Sequence, residues 1–370
     1  MPCLNNPPRL TRCPRRDGDR PHRRRRPTGE RVTAAGLALG YGADLALGDP
    51  RRGHPVAAFG QLALAAERAS YGPSHVRGAA FTGALVLGAA LAGEAAAQGA
   101  RRAGGGRGLA LAAVSWAALG GRSLRREATA IAARLDAGDL AGARRALPTL
   151  CGRDAQALDA PQIARAVVES VAENTSDAVV GTLLWGALAG PAGVAAYRAA
   201  NTLDAMVGHR TPRYAQFGWA SARLDDALGW LPARAGAGLA VLCAPAAGGS
   251  PARAWRTLRR DGAAHPSPNA GRMEAAFAGA LDLRLGGPLA YDRVVQLRPQ
   301  LGDGRPPGPA DIRRAARLSS AVGAATLAAS MLVRAARPPS RGTVAWPRRV
   351  ALAARLPAAT ASQSAARSFR

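Results

Sequence analysis

Five stretches of this chain contain no charged residue, and arginines crowd the segments between them. These stretches are residues 78–93, 108–121, 178–197, 235–252 and 318–333. A helix needs about 20 mainly apolar residues to cross a bilayer, and the positive residues of a membrane protein gather beside such helices. The pattern therefore predicts an all-α, polytopic integral membrane protein with about four to six membrane-associated helices and polar helical loops. A soluble bundle of alanine-rich helices would show a similar pattern.

The stretch 178–197 raises a question of topology, because polar segments of interest lie on both sides of it. Gly190 and Pro191 stand near its centre. Proline removes a helical hydrogen bond there, and glycine permits a turn. A re-entrant helical hairpin would return both polar segments to one side of the membrane, whereas a single kinked helix would separate them.

Residues 123–177 show the spacing of short amphipathic helices. One helical face collects the apolar positions Leu124, Ala128, Ile131 and Leu135. Gly138 and Asp139 break this helix, and Pro148 ends the short element that follows. Pro161 suits the first turn of a further helix, whose apolar positions are Ile163, Val167, Val168 and Val171.

That further helix carries the first of three clusters of carboxylate and amide side chains. Glu169, Glu173 and Asp177 are each four residues apart, so they share one face if the helix persists. Like charges stacked in this way destabilise a helix unless a cation or a basic partner offsets them. With Asn174 they predict a site for Mg²⁺ or a nucleotide phosphate. An exposed acidic face paired with Arg165 is the alternative.

The other two clusters are weaker signals when each is taken alone. Asn201 and Asp204 lie one turn apart after an apolar stretch, where an ordinary cap or interfacial polar residues would look the same. Asp225 and Asp226 are adjacent and cannot both point the same way on a helix, so one would bind a cation while the other pairs with an arginine. Solvated surface charge is the alternative for this pair.

Composition narrows the function classes. All 50 basic residues are arginine, against 24 acidic residues in 370, for a formal charge of +26. Without lysine the chain has no Walker P-loop and no lysine Schiff base. Much of the charge lies in segments 1–31 and 335–370, which we expect to be disordered extensions or irregular translated ends. The segment 32–334 is the predicted membrane domain. It lacks the interleaved aromatics of a nucleic-acid surface, so no nucleic-acid partner is expected.

The positions of the cysteines and histidines do not indicate a metal centre. The four cysteines form no CxxC pair, which favours a reducing compartment over a zinc site or a disulfide framework, and the five histidines are scattered. The Arg-rich head before an apolar run could imitate a signal peptide. Asp44 and Asp49 interrupt that run, so a retained first membrane segment is favoured.

Several motifs occur in a fixed order along the chain. They are GDP (48–50) with HP (54–55), CGRD (151–154), ESVAENTSD (169–177), NTLDAMVG (201–208), FGWASARLDD (217–226), PAR (232–234) and HPSPNAG (265–271). Taken together, the motifs resemble the cobalamin biosynthesis family CobD/CbiB, the adenosylcobinamide-phosphate synthases. The resemblance covers about residues 33–330.

This resemblance implies a multi-pass enzyme of the cell (cytoplasmic) membrane that uses ATP and Mg²⁺. Such an enzyme joins the propionate carboxylate of a corrinoid, adenosylcobyric acid, to the amine of aminopropanol or aminopropanol phosphate. A carboxylate is a poor acyl donor, so phosphorylation to an acyl phosphate would supply the leaving group. The implied partners are these substrates, the lipid bilayer and other late corrinoid-pathway enzymes.

The matched motifs also imply roles for individual residues. Catalysis or substrate orientation is expected of Glu169, Glu173, Asn174, Asp177, Asn201 and Asp204, with His54 or His265 deprotonating the incoming ammonium. Phosphate or substrate binding is expected of Arg153, Asp154, Arg223, Arg234, Ser267 and Asn269. The expected Mg²⁺ ligands are Glu173, Asp177, Asp225 and Asp226.

Two features depart from the family pattern. Arg272 stands where an aromatic residue would be expected, and the apolar spans are unusually rich in alanine. A non-catalytic corrinoid-binding membrane subunit or a transporter is the alternative function. A transporter would show internal repeats and polar residues inside its spans, and the sequence displays neither.

Overall fold

A computed structural model describes residues 28–50, 53–152, 155–209, 211–291 and 294–336, which are mostly helical. The helices are α1 (Thr28–Leu47), α2 (Pro55–Ser70), α3 (His75–Arg102), α4 (Gly106–Ala118), α5 (Gly121–Asp136), α6 (Leu140–Ala146), α7 (Ala160–Asn174), α8 (Gly181–Val207), α9 (Tyr214–Phe217), α10 (Trp219–Leu242), α11 (Pro251–Asp261), α12 (Ala270–Leu281) and α13 (Pro309–Ala336). Short 3₁₀ turns at Leu147–Thr149 and Ala244–Ala247 follow α6 and α10. The predicted extensions at 1–31 and 335–370 lie outside the described residues, apart from the start of α1 and the end of α13.

Three helical segments are long and apolar enough to cross a bilayer, namely His75–Arg102, Ala160–Val207 and Pro309–Ala336. Ala34–Leu47 is a shorter apolar helix. Leu87 and Leu91 on α3 are 60% and 62% exposed, as expected of side chains that face lipid rather than water. These features confirm the prediction of an all-α polytopic membrane protein.

The segment Ala160–Val207 is not one straight helix, because the chain reverses at Gly190. Gly190 has φ 68° and ψ −153°, a conformation open to glycine and strained for other residues. Beyond it the two arms run antiparallel, since Gly181 packs on the Tyr197 ring and Gly186 faces Val194. The predicted helical hairpin is therefore confirmed. Its tip lies beside the guanidinium groups of Arg107 and Arg334.

A π-helical turn, Thr175–Val180, joins α7 to α8. Such turns are frequent at functional sites, and one extra residue per turn rotates the side chains that follow by about 100°. The Thr175 hydroxyl donates to the Val171 carbonyl at 2.6 Å and lies 2.7 Å from Ser319 Oγ on α13. The turn is thus anchored in the core, and it interrupts the α-helical spacing between Glu173 and Asp177.

The predicted amphipathic helices form as expected. On α5 the apolar face is buried through Leu124, Ala128 and Ile131. Asp139 caps α6 by accepting from the Gly142 amide at 2.7 Å. Asp159 and Gln162 form a capping box at the start of α7, whose apolar side enters the main hydrophobic core.

One element was not predicted from the sequence: a two-stranded antiparallel hairpin of β1 (Leu285–Tyr291) and β2 (Val294–Leu301) between α12 and α13. Its register shifts between Leu285 and Gly287. The hairpin is tied to α7, because Arg165 donates to the Gly286 carbonyl at 2.6 Å and the Gly286 amide donates to Glu169 at 2.7 Å.

Candidate active site between the helical hairpin and α10

The three polar clusters of the sequence meet at Asn201. Its amide nitrogen Nδ2 lies 3.2 Å from Asp177 Oδ2 and 3.4 Å from Asp225 Oδ1, so the two carboxylates accept from one amide group. Asp177 comes from the π turn, Asn201 from the second arm of the hairpin and Asp225 from α10. The reversal at Gly190 places Asp177 and Asn201 side by side, although 24 residues separate them.

Arg198 supplies a positive charge to this cluster. Its Nη1 donates to Asn201 Oδ1 at 3.1 Å, which turns the Asn201 amide nitrogen toward the two aspartates. The guanidinium interacts electrostatically with Asp177, Asp49 and Asp225. Charged side chains within an apolar helical segment are costly and usually mark a functional site.

Further carboxylates surround the bridged pair. Glu173 is exposed and interacts with both Asp177 and Asp225 through its charge, and Asp204 and Asp226 lie near Asp225. Burial, followed by the neighbouring Asp204 carboxylate, raises the pKa of Asp225 to about 7. The site therefore carries more acidic groups than its nearby guanidinium can neutralise when all of them are ionised, which favours a bound cation.

The residues of the cluster fit a Mg²⁺ ion that is bound together with the phosphate groups of a substrate. Among the described residues, no group of three or more histidine, cysteine, aspartate or glutamate side chains forms a complete metal centre. Mg²⁺ usually takes only one or two carboxylates and completes its octahedron with water and substrate phosphates. Three buried polar atoms of residues in or beside the cluster, Asp49 Oδ1, Tyr197 Oη and Arg198 Nε, also make no hydrogen bond within the described structure.

An apolar cavity of about 270 Å³ has Arg198 in its wall. Its other walls come from the start of α2, the middle of α3 and the end of α4, including Val56, Phe59, Ala92 and Val114. Arg198 thus stands between this cavity and the carboxylates.

Two predicted site residues on α7 make their hydrogen bonds elsewhere. Glu169 is buried and accepts from the Gly286 amide of β1, which fixes the β-hairpin. Asn174 Nδ2 donates to the Ser170 carbonyl at 2.9 Å, within its own helix. Of the predicted acidic face, Glu173 and Asp177 therefore lie with the cluster, while the Glu169 carboxylate is directed to the strand.

Both candidate histidines accept hydrogen bonds from backbone amides. His54 Nδ1 accepts from the Val56 amide at 3.2 Å and caps α2. His265 Nδ1 accepts from the Ser267 amide at 3.0 Å, and its Nε2 contacts Arg298. Burial, and then the charge of Arg298, lowers the pKa of His265 to about 4, so its ring is neutral at neutral pH.

The loop of His265 reaches the acidic cluster through Asn269. Ser267 Oγ accepts from the Asn269 and Ala270 amides at 3.3 and 3.2 Å, which caps α12. Asn269 Nδ2 then donates to the Asp226 carbonyl at 2.9 Å. Asn269 Oδ1 is buried and makes no hydrogen bond with the described residues.

Two of the predicted phosphate-binding arginines, Arg223 and Arg234, lie on α10. Arg223 is 64% exposed in its side chain and lies 4.0 Å from Asp226. Arg234 stacks on Trp230, with its guanidinium carbon 4.1 Å from the ring centroid. Burial and the like charge of Arg272 lower the pKa of Arg234, which places Arg272 near it. Arg153 and Asp154 lie outside the described residues.

Sequence reasoning missed Arg198 and Asp49 as members of the site. Arg198 precedes Asn201 by three residues, so the two share a helical face, and this spacing was an available signal. Asp49 lies inside the GDP motif, but nothing in its local sequence connects it to a residue about 150 positions away.

Fold and site define a polytopic helical membrane protein with a carboxylate and amide centre held between a helical hairpin and a neighbouring helix. The chain belongs to the CobD/CbiB family: the profile of the family described as "CobD/Cbib protein" matches residues 37–319. It is 53% identical over 303 residues to the "Cobalamin biosynthesis protein CobD" of Mycobacterium tuberculosis, covering 81% of this chain and 96% of that one. The protein of the same name from Rhodobacter capsulatus is 42% identical over 289 residues, covering 76% and 91%. The one from Pelobacter propionicus is 43% identical over 272 residues, covering 72% and 84%. No solved structure matches the chain.

Proposed function

We propose that this protein acts late in cobalamin biosynthesis as an amide ligase of the cell membrane. The reaction joins the propionate carboxylate of adenosylcobyric acid to the amine of aminopropanol or aminopropanol phosphate, with ATP as co-substrate and Mg²⁺ as cofactor. Membership of the CobD/CbiB family supports the pathway, because its relatives are named for cobalamin biosynthesis. The observation that carries the chemistry is the pair Asp177 and Asp225 on one Asn201 amide.

The proposed chemistry proceeds in two balanced steps. The corrinoid carboxylate takes the terminal phosphoryl group of ATP, so a C–O–P linkage forms and ADP leaves. The neutral amine then attacks the acyl carbon, the C–O bond to phosphate breaks, and the amide and inorganic phosphate are released with one proton. Neither step needs a covalent bond to the protein, only positioning and charge stabilisation.

The residues of the site have separate tasks in this proposal. Asp177 and Asp225 would hold Mg²⁺, which when bound neutralises phosphate charge. Asn201 keeps the two carboxylates together, and Arg198 fixes the Asn201 amide through its 3.1 Å hydrogen bond. Asn269 connects the loop 265–269 to Asp226 and presents a buried oxygen acceptor beside it.

The amine must lose a proton before it attacks, and in both candidate histidines a backbone amide already engages the Nδ1 lone pair. The Nε2 of His265 also lies against Arg298. A carboxylate of the cluster that does not hold Mg²⁺ is then the better placed base.

The test uses membranes that carry the full chain, adenosylcobyric acid, ATP and Mg²⁺, with aminopropanol and aminopropanol phosphate in separate arms. Mass spectrometry should detect an amide adduct in at least one arm, only with ATP and Mg²⁺, and stoichiometric ADP. The arm that reacts identifies the amine. No adduct in either arm, from protein shown to be inserted and folded, would move the assignment to a corrinoid-binding or transport role.

A further inference from the structure

The outer face of α11 carries a tryptophan and two arginines that do not pack on the protein. Among the exposed positions of α11, Ala252, Trp255, Arg256 and Arg259 follow helical spacing along one side. The opposite side packs inward through Ala254, Thr257 and Leu258. Trp255 is 50% exposed, and the guanidinium carbon of Arg259 lies 5.9 Å from the Trp255 ring centroid.

The acidic residues near α11 are already paired with other arginines. Arg253 Nη1 lies 2.8 Å from Asp282 Oδ2. Arg260 Nε lies 2.7 Å from Asp261 Oδ1, and Arg260 Nη1 lies 2.9 Å from Asp303 Oδ2. Within the part of the chain that the structure describes, Arg256 and Arg259 have no carboxylate partner. Both line an open hollow of about 780 Å³, together with Trp255. This surface therefore carries positive charge that the fold itself does not neutralise.

The segment before α11 begins at an exposed leucine. Leu242, at the end of α10, is 71% exposed. The chain then turns through Gly248, which has φ 68°, and restarts at Pro251, where Ser250 accepts from the Arg253 amide at 3.3 Å. Two exposed apolar side chains, Leu242 and Trp255, therefore flank the turn between α10 and α11.

We propose that the outer face of α11 binds the headgroups of anionic phospholipids. Arginine side chains attract acidic headgroups, and tryptophan prefers the boundary between acyl chains and headgroups. A soluble phosphate would explain the arginines alone, whereas a lipid also explains the exposed Trp255 beside them.

The test uses the full chain in nanodiscs of phosphatidylcholine with an increasing fraction of phosphatidylglycerol. One lipid at a time carries bromine near the headgroup end of its acyl chains, and the signal of Trp255 is the fluorescence lost in Trp255→Phe. Brominated phosphatidylglycerol should quench this signal more strongly than brominated phosphatidylcholine. The preference should fall about fivefold for each of Arg256→Gln and Arg259→Gln, the contribution of one arginine near an anionic surface.

Two controls separate this site from general charge effects and from misfolding. Arg145→Gln, at an exposed arginine of α6, should leave the preference unchanged, as should Arg256→Lys combined with Arg259→Lys. If Trp255 is quenched by aqueous acrylamide and not by either brominated lipid, the face lies in water and the proposal is wrong. If inorganic phosphate at constant ionic strength abolishes the preference, the site belongs to a soluble anion and the lipid assignment is overturned.

Discussion

At the scale of single residues, replacing the carboxylate of Asp225 tests the proposed ligase chemistry most directly. Asp225→Asn keeps the shape and the contact with Asn201 but removes a negative charge that a cation requires. We expect turnover to fall about 100-fold or more, the scale of losing one electrostatic stabiliser at a reacting centre. ATP-dependent adduct formation by variant membranes measures this.

Asp136→Asn is the matched control for Asp225→Asn, because Asp136 is 46% exposed and pairs with Arg313 away from the cluster. Its turnover should equal that of the wild type. A fully active Asp225→Asn variant at normal abundance would remove this residue from the mechanism.

Arg198 balances several carboxylates at once, so its loss should affect stability as well as activity. Arg198→Gln removes the positive charge that acts on Asp177, Asp225 and Asp49, and we expect a loss on the order of 3 kcal/mol in the free energy of unfolding. Thermal unfolding in detergent measures the change. Adding Asp177→Asn to Arg198→Gln should recover part of the stability, and strictly additive losses would show that the two charges are not coupled.

The buried ring of His265 predicts a pH dependence of stability. Its pKa is about 4 in the folded chain and about 6.5 in the unfolded chain, so the unfolded state binds the extra proton between these values. Stability should therefore fall as pH drops from 7 to 5, by on the order of 1 to 2 kcal/mol from this residue. His265→Asn, whose amide oxygen still accepts from the Ser267 amide, should lose less stability over the same range. Identical pH profiles of the two proteins would contradict this assignment.

At the scale of elements, the hairpin of α8 depends on one backbone conformation. Gly190→Ala places a side chain at φ 68°, ψ −153°, which costs about 1 to 3 kcal/mol. We expect a lower unfolding midpoint and lower activity, because the turn aligns Asn201 with Asp177. Gly88→Ala on α3 is the control, since its added methyl group meets open space. It should be neutral or slightly stabilising, and equal effects of the two changes would argue against a special turn at Gly190.

The π turn and the β-hairpin are held by long-range contacts, so local sequence patterns do not predict them. Helical spacing alone places Glu169, Glu173 and Asp177 on one face, but in the structure Glu169 accepts from the Gly286 amide of β1 and a π turn follows Asn174. The turn is held by Thr175, which contacts Ser319 from a helix 144 residues away. Strand β1 has two glycines and a proline near its start, and Glu169 and Arg165 secure it from α7. None of these contacts has a local signature.

At the scale of the whole molecule, the hairpin makes a prediction about topology. Residues before and after the segment Ala160–Val207 should lie on the same side of the membrane. Single cysteines at Ala157 and at Thr211, both exposed, can be introduced into a chain whose four native cysteines are replaced. An impermeant maleimide should label both from the same side of oriented membrane vesicles. Labelling from opposite sides would contradict the hairpin.

Sequence patterns were enough to predict the helical membrane class, the amphipathic faces of α5 and α7, the break after α5 at Gly138 and Asp139, and the family. These features follow from composition and from periodicities of a few residues, which act locally. The sequence also marked Gly190 and Pro191 as a break, but a kink and a hairpin were equally compatible with those two residues.

Which polar side chains come into contact depends on the packing of whole helices. Asp177, Asn201 and Asp225 come together because the chain reverses at Gly190 and α10 packs on the hairpin. The same packing adds Arg198 and Asp49 to the site and directs the Glu169 carboxylate to the β-hairpin. Contacts between residues far apart in the chain depend on the direction and rotation of whole helices, and local sequence patterns do not carry that information.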